Sequence, residues 1–203
     1  GLEIPVPRPT VRIDGAATSA QQPKVIVELP QASRIAVSGT LTMEFRPSTS
    51  ITNDDSGVRF LAGEARRLTV QVQPGDRLGL FGALPEAKFQ TGTTAGTILF
   101  TLTFGPHKET LSVQIPPAPV KLDTVAAVRR SNDLDLTINA YDNARSVSQV
   151  LFTFYDATGR PVAPGTIRVD LGADFQRYFA SSRTGTTFSL NATFPVTGPA
   201  AQI

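Results

Sequence analysis

The chain has 203 residues, 40% of them hydrophobic and 18% charged, with 16 Gly, 16 Pro, one His and neither Cys nor Trp. At roughly 100–200 residues per domain this is one large or two small domains, with enough apolar residues for packed cores, so wholesale disorder is excluded. The missing Cys excludes disulfides, thiolate zinc sites, iron–sulfur clusters and a thiol nucleophile, the lone His excludes multi-histidine metal centres, and a formal charge of +2 is too balanced for a nucleic-acid or anionic-membrane partner.

Pro5, Pro7 and Pro9 alternate near the start, as in a linker or an arm laid on an edge strand. Gly1 stands where an initiator Met would be, with no charged-then-apolar leader after it, and reads as a processed start. From Lys24 onward the hydrophobic period is two. Lys24–Leu29 places Val25, Val27 and Leu29 on one face, and Thr40–Phe45 places Leu41, Met43 and Phe45 inward. Arg67–Gln73, Thr97–Phe104 and Thr110–Ile115 alternate in the same way, with Thr and Gln on the other face. Successive strand side chains point to opposite faces, so the pattern predicts antiparallel sheets with one face in a core and one in water. No apolar run reaches the ~18 residues of a membrane-spanning helix, and no segment carries an apolar stripe at helical spacing over three turns.

The joints agree. Pro74-Gly75-Asp76 closes one strand, Gly105-Pro106-His107 predicts a hairpin, and Gly92-Thr93-Thr94-Ala95-Gly96 suits a bend between sheets. Pro116-Pro117-Ala118-Pro119 predicts a short, stiff linker, because proline donates no ladder hydrogen bond and prefers extended backbone. Beyond it, Leu134–Tyr141, Val150–Tyr155, Thr166–Leu171 and Thr187–Phe194 resume the alternation. Asp174–Ala180 reads as one short helical turn crossing between sheets. The stretch Gly198–Ile203 reads as the approach to another strand, so the second domain is expected to lack its last strand.

Two stretches carry a family resemblance: Phe89–Ile98 (FQTGTTAGTI), and Asp174–Ala180 (DFQRYFA) followed by Thr187–Gly198. In these the chain resembles secreted, multi-domain β-sandwich proteins of environmental bacteria, abundant in the acidobacterial group, in which immunoglobulin-like modules sit side by side. The resemblance implies an exported, extracellular structural or binding segment of a larger protein. It brings no catalytic or ligand residues.

The candidate sites are few. His107, the one imidazole, lies in a predicted hairpin tip with no Gly-x-Ser-x-Gly elbow to supply a nucleophile. Asn53-Asp54-Asp55-Ser56-Gly57 is an oxygen-rich turn of the residue types Ca²⁺ prefers, but it lacks EF-hand spacing and reads first as an Asx-type turn. Asp133, Asp135, Asp142 and Asn143 form a second acidic group flanking a strand, which reads as the solvated ends of a half-exposed strand, with a metal site as the alternative. Glu28 and Glu44 face outward with nothing to place them across a glycosidic bond. Tyr141, Tyr155 and Tyr178 fall off the apolar face, and Tyr178 with Phe179 is the candidate platform for a sugar ring. Arg66-Arg67 and Arg129-Arg130 read as solvated pairs, and Asn191-Ala192-Thr193 as ordinary strand residues despite matching a glycosylation sequon.

The sequence therefore predicts an all-β protein of two tandem immunoglobulin-like β-sandwich domains, mostly antiparallel, spanning 1–116 and 120–203 with a linker at 117–119. Its expected function is non-enzymatic: an extracellular spacer or interaction module, monomeric, with a protein or glycan partner and no cofactor, nucleic acid or membrane insertion. The alternatives are a carbohydrate- or calcium-dependent binding module and an accessory domain of an exported enzyme.

Overall fold

A computed structural model describes residues 4–183 and 185–197. Its first half contains strands β1 (Thr10–Asp14), β2 (Lys24–Glu28), β3 (Val37–Pro47), β4 (Val58–Phe60), β5 (Arg67–Val72), β6 (Ala87–Thr91), β7 (Gly96–Phe104) and β8 (His107–Ile115). They form two antiparallel sheets, ordered β1-β2-β6-β4 and β5-β3-β7-β8. The alternation read from the sequence is the alternation of burial: Leu41, Met43 and Phe45 are buried while Glu44 is exposed. Both sheets feed one apolar cluster, centred on Phe89, Phe100, Phe104, Leu41 and Ile98. The Phe100 ring meets Phe89 edge-on at 5.0 Å and Phe60 at 6.2 Å. Gly39 fixes the close approach of β3 to β7, since a Cβ there would lie 2.5 Å from the Thr103 carbonyl oxygen. Gly105-Pro106 turns β7 into β8, as expected, and the Gly92–Ala95 bend carries the chain from one sheet to the other.

The second half contains β9 (Lys121–Arg129), β10 (Asp133–Tyr141), β11 (Gln149–Phe152), β12 (Ile167–Asp170), helix α1 (Gly172–Ser181) and β13 (Thr187–Pro195). Its sheets are β13-β10-β9 and β11-β12, both antiparallel. Leu134, Leu136 and Phe152 are buried between them, with Ile138, Val150, Phe194 and others half-buried around these three. Phe194 packs edge-on against Phe152 and Phe154, at 4.9 and 5.0 Å. The described residues are thus all-β and antiparallel with one short helix, and no described helix is long and apolar enough to cross a membrane.

Two elements depart from the sequence reading. Asp174–Ala180 is not one short turn but part of a ten-residue helix. Phe175 and Phe179 lie four residues apart on its inner side, their rings stacked at 5.7 Å, and Phe188 of β13 meets Phe175 edge-on at 4.8 Å. Two aromatics make too short a stripe to be read as helical periodicity, yet tertiary contact with β13 is enough to hold the helix. The other is β9, which the sequence reading did not foresee: its Val125-Ala126-Ala127-Val128 run is contiguous rather than alternating, and eight of its nine residues are exposed. Thr10–Asp14, beyond the N-terminal prolines, is a true edge strand on β2. The processed start at Gly1 and the expected strand approach at Gly198–Ile203 lie outside the described residues.

Candidate functional site

The densest set of buried polar groups lies where the two halves meet. Loop residues 51–57 and 92–95 of the first half face residues 142–145 and 185–186 of the second. Asp55 is buried at the centre. Its Oδ2 accepts the backbone N–H groups of Thr93 (2.8 Å) and Thr94 (3.0 Å) and the Thr94 hydroxyl (2.8 Å), while Oδ1 accepts the Gly57 N–H at 2.8 Å. Space here is tight on both sides: a Cβ on Gly92 would sit 2.6 Å, and one on Gly185 2.8 Å, from the nearer Asp55 carboxylate oxygen. Both glycines have positive φ, +66° and +79°, a region that side chains rarely adopt.

The second half answers with Arg145, Asn143 and Thr186, all buried. The Arg145 Nη1 donates to the carbonyls of Ile51 (2.5 Å) and Asn53 (2.9 Å), and Nη2 to the Thr94 hydroxyl at 3.4 Å. Burial pulls this guanidinium below its ordinary pKa, with Asp55 and Asp54 pushing the other way. Arg145 itself sits at φ +54°, held by its N–H bond to the Asp142 carbonyl at 3.0 Å. The Thr186 N–H donates to the Thr93 hydroxyl (2.9 Å), and its own hydroxyl donates to the Thr93 carbonyl (3.0 Å). Asn143 bridges the linker: Nδ2 donates to the Pro116 carbonyl (2.8 Å) and the Ser19 hydroxyl (2.9 Å), and Oδ1 accepts the Ala118 N–H (2.7 Å). Helix α1 joins the same junction, for the Asn53 side-chain amide donates to the Phe179 carbonyl at 3.1 Å.

This geometry revises several candidates. Asp55 is no open cation ligand, because both its oxygens already accept N–H or O–H groups. Asp54 is exposed and pairs with Arg66 at 2.9 Å, so Arg66 is not simply solvated: it also donates to the carbonyls of Val58 and Asp55. The second acidic group is divided. Asp142 and Asn143 are buried at the junction, and the Asp142 carboxylate accepts the N–H groups of Ala144, Ser146 and Val147. Asp135 lies on the exposed side of β10, bonded to the Thr193 hydroxyl (2.8 Å) and Arg130 (2.5 Å), while Asp133 begins that strand. Among the described residues, no three His, Asp or Glu side chains gather to hold a metal ion.

The Thr193 hydroxyl first, then Arg130, holds the Asp135 carboxyl below its ordinary value. Any stability it contributes is present above the usual carboxylate range and is lost as pH falls through the lowered native pKa. Thr193→Val is expected to raise the Asp135 titration midpoint seen by NMR; an unchanged midpoint would show that the hydroxyl does not set it.

The remaining candidates are scattered. Glu28 and Glu44 stand on different sheets, each paired with a neighbouring Arg. His107 is half-buried, with Nε2 2.8 Å from the Val6 carbonyl oxygen, so the N-terminal arm covers the predicted hairpin tip. Tyr141 is buried rather than exposed, whereas Tyr155 and Tyr178 are 54% and 42% exposed. Phe179 is fully buried on the inner side of α1, so the expected Tyr178–Phe179 sugar platform is reduced to Tyr178 alone. Arg129 is also not a solvated residue: its guanidinium nitrogens are inaccessible and have no hydrogen-bond partner. Sequence reasoning missed Ser19, Thr93, Thr94, Arg145 and Thr186; the paired threonines after Gly92 were the one visible signal. Neither a protein-family model nor a curated protein matches the chain.

Proposed function

We propose that the chain is a non-enzymatic segment of an exported bacterial protein: two tandem immunoglobulin-like β-sandwich modules, 1–116 and 120–203, acting as a spacer or interaction element. The observation that carries this reading is the use made of the buried polar groups. Asp55, Asn143, Arg145 and Thr186 are the residue types from which active sites are assembled, and here Asn143, Arg145 and Thr186 are engaged in hydrogen bonds that tie one half to the other, while Asp55 holds together the first-half loops that they meet. A catalytic acid or base needs a perturbed group facing substrate in a cleft. A carboxylate already accepting four donors has no such freedom. The exported location rests on the sequence resemblance alone.

The reading predicts one fixed arrangement of the modules. Residual dipolar couplings measured on both should fit a common alignment tensor, and Arg145→Ala should separate the two tensors. Independent tensors in the native chain, or turnover on a broad hydrolase panel abolished by changing one Asp or Glu, would overturn it. The binding-module alternative keeps one observation in its favour, the exposed rings of Tyr155 and Tyr178. A glycan array with Tyr178→Ala as control tests it, and a thermal-shift scan with calcium and EDTA tests the cation form.

A further inference from the structure

The core-facing side of β8 changes chemistry along its length. Leu111, Val113 and Ile115 close the apolar interior, but His107 and Glu109, which precede them on the same side, are polar and half-buried. Polar groups placed there have to be met by partners. Both partners come from one short segment, the arm of residues 4–9. The Val6 carbonyl lies 2.8 Å from His107 Nε2, and Arg8 forks onto Glu109, with Nε 2.6 Å from Oε1 and Nη2 3.3 Å from Oε2. The step from Val6 to Arg8 matches the step from His107 to Glu109, so the arm runs parallel to β8. It is nevertheless no strand. Pro5, Pro7 and Pro9 have no N–H to donate, and among the described residues no main-chain hydrogen bond joins the arm to β8. Its remaining hold is the Val6 side chain, half-buried against the end of the core. Gly105 makes room for it, since a Cβ there would lie 3.3 Å from a Val6 methyl carbon. Pro9 is buried and fixes the point from which the arm departs. Beyond it, β1 and β8 are facing edges of the two sheets that lie against each other without pairing.

We propose that Ile4–Pro9 is a strap that opens and closes about Pro9 while both sheets stay folded, with His107 and Glu109 as its clasps. Closed, it covers the start of the seam between β1 and β8; open, it bares that seam and the notch that Val6 fills. A segment held by side-chain bonds and one half-buried side chain belongs with the elements that open locally, well below the free energy of global unfolding. The two clasps differ in kind. An Nε2 that faces a carbonyl carries its proton in the neutral ring and in the cation alike, so His107 holds Val6 in either state. Glu109 holds Arg8 only as the ionised, acceptor-only carboxylate. The proposal concerns the first half alone and takes nothing from the function proposed above.

The chain has no Cys, so Val6→Cys places a single thiol in the notch, and its labelling by a maleimide in the intact protein counts openings. Labelling is expected to be slower than for a free thiol and insensitive to low urea, because a local opening exposes little surface. Adding Glu109→Gln should speed it about two- to fivefold, the range of an exposed ion pair. His107→Leu should add a comparable factor. Glu44→Gln, which removes the exposed pair with Arg46 on β3, should leave the rate unchanged. The chain with Val6 intact gives the second readout, the nuclear Overhauser contact between the Val6 methyls and Gly105, which should weaken in Glu109→Gln. A Val6–Gly105 contact missing from the native chain overturns the proposal. So does labelling with the urea dependence of global unfolding, or labelling and contact that are both indifferent to Glu109→Gln.

Discussion

Asp55→Ala is expected to lower the free energy of unfolding by about 3–5 kcal/mol, as when one member of a buried charged network is removed. The substitution strands the N–H groups of Thr93, Thr94 and Gly57, together with the Thr94 hydroxyl, in a site too tightly enclosed by Gly92 and Gly185 for the chain simply to close over it. Each orphaned buried donor costs about 1–3 kcal/mol, and partial collapse keeps the total below the simple sum. Arg145, whose charge Asp55 offsets, is left buried with less compensation. At about 2–4 °C per kcal/mol for a chain of this size, the midpoint should fall by roughly 10 °C. Asp54→Ala is the control: its side chain is 59% exposed and its pairing with Arg66 lies at the surface, so the change should stay under about 1 kcal/mol. Urea denaturation of the two variants decides the matter. Equal losses would mean that the carboxylate of Asp55 is not the centre of the junction.

Phe100→Ala is expected to cost about 3–5 kcal/mol, the range for deleting a buried aromatic ring. Phe100 is fully enclosed between the two sheets of the first half, touching Phe60 and Phe89, so little can move in to fill the space. Phe152→Ala removes a ring of the same size from the second half, where the surrounding Ile138, Val150 and Phe194 are only half-buried. A site already open to solvent loses less on truncation, and about 2–3 kcal/mol is expected. The two apolar clusters share no residue, so the double variant should lose the sum within about 0.5 kcal/mol. A larger cost at Phe152, or strong coupling between the two, would show that the halves share one core.

Strands such as β3, β5, β7 and β10 were legible because burial on one face imposes a period of two on the sequence, and their residues obey it. β9 was not, because an edge strand left uncovered on both faces has no reason to alternate. α1 was legible only as a turn, since its inner side needs no more than Phe175 and Phe179. The junction escaped for a different reason. Its bonds join residues far apart in the chain, Asp55 to Thr93 and Thr94, Thr93 to Thr186, Asn143 to Ser19, and many end on backbone groups that every residue possesses. Composition marked Asp55 as an oxygen donor seeking a positive partner. That partner is a set of three amide hydrogens and one hydroxyl, and residue types alone cannot distinguish these from a cation.

Asn143 holds the connecting prolines from both sides, through the Pro116 carbonyl and the Ala118 amide. Under the fixed arrangement predicted above, a molecule that touches both halves at once would meet a preorganised surface, its freedom to swing given up on folding rather than on contact. Such a ligand would bind with the affinity of two sites on one rigid body, while a ligand needing the halves splayed apart would first have to break the Asn143 bonds.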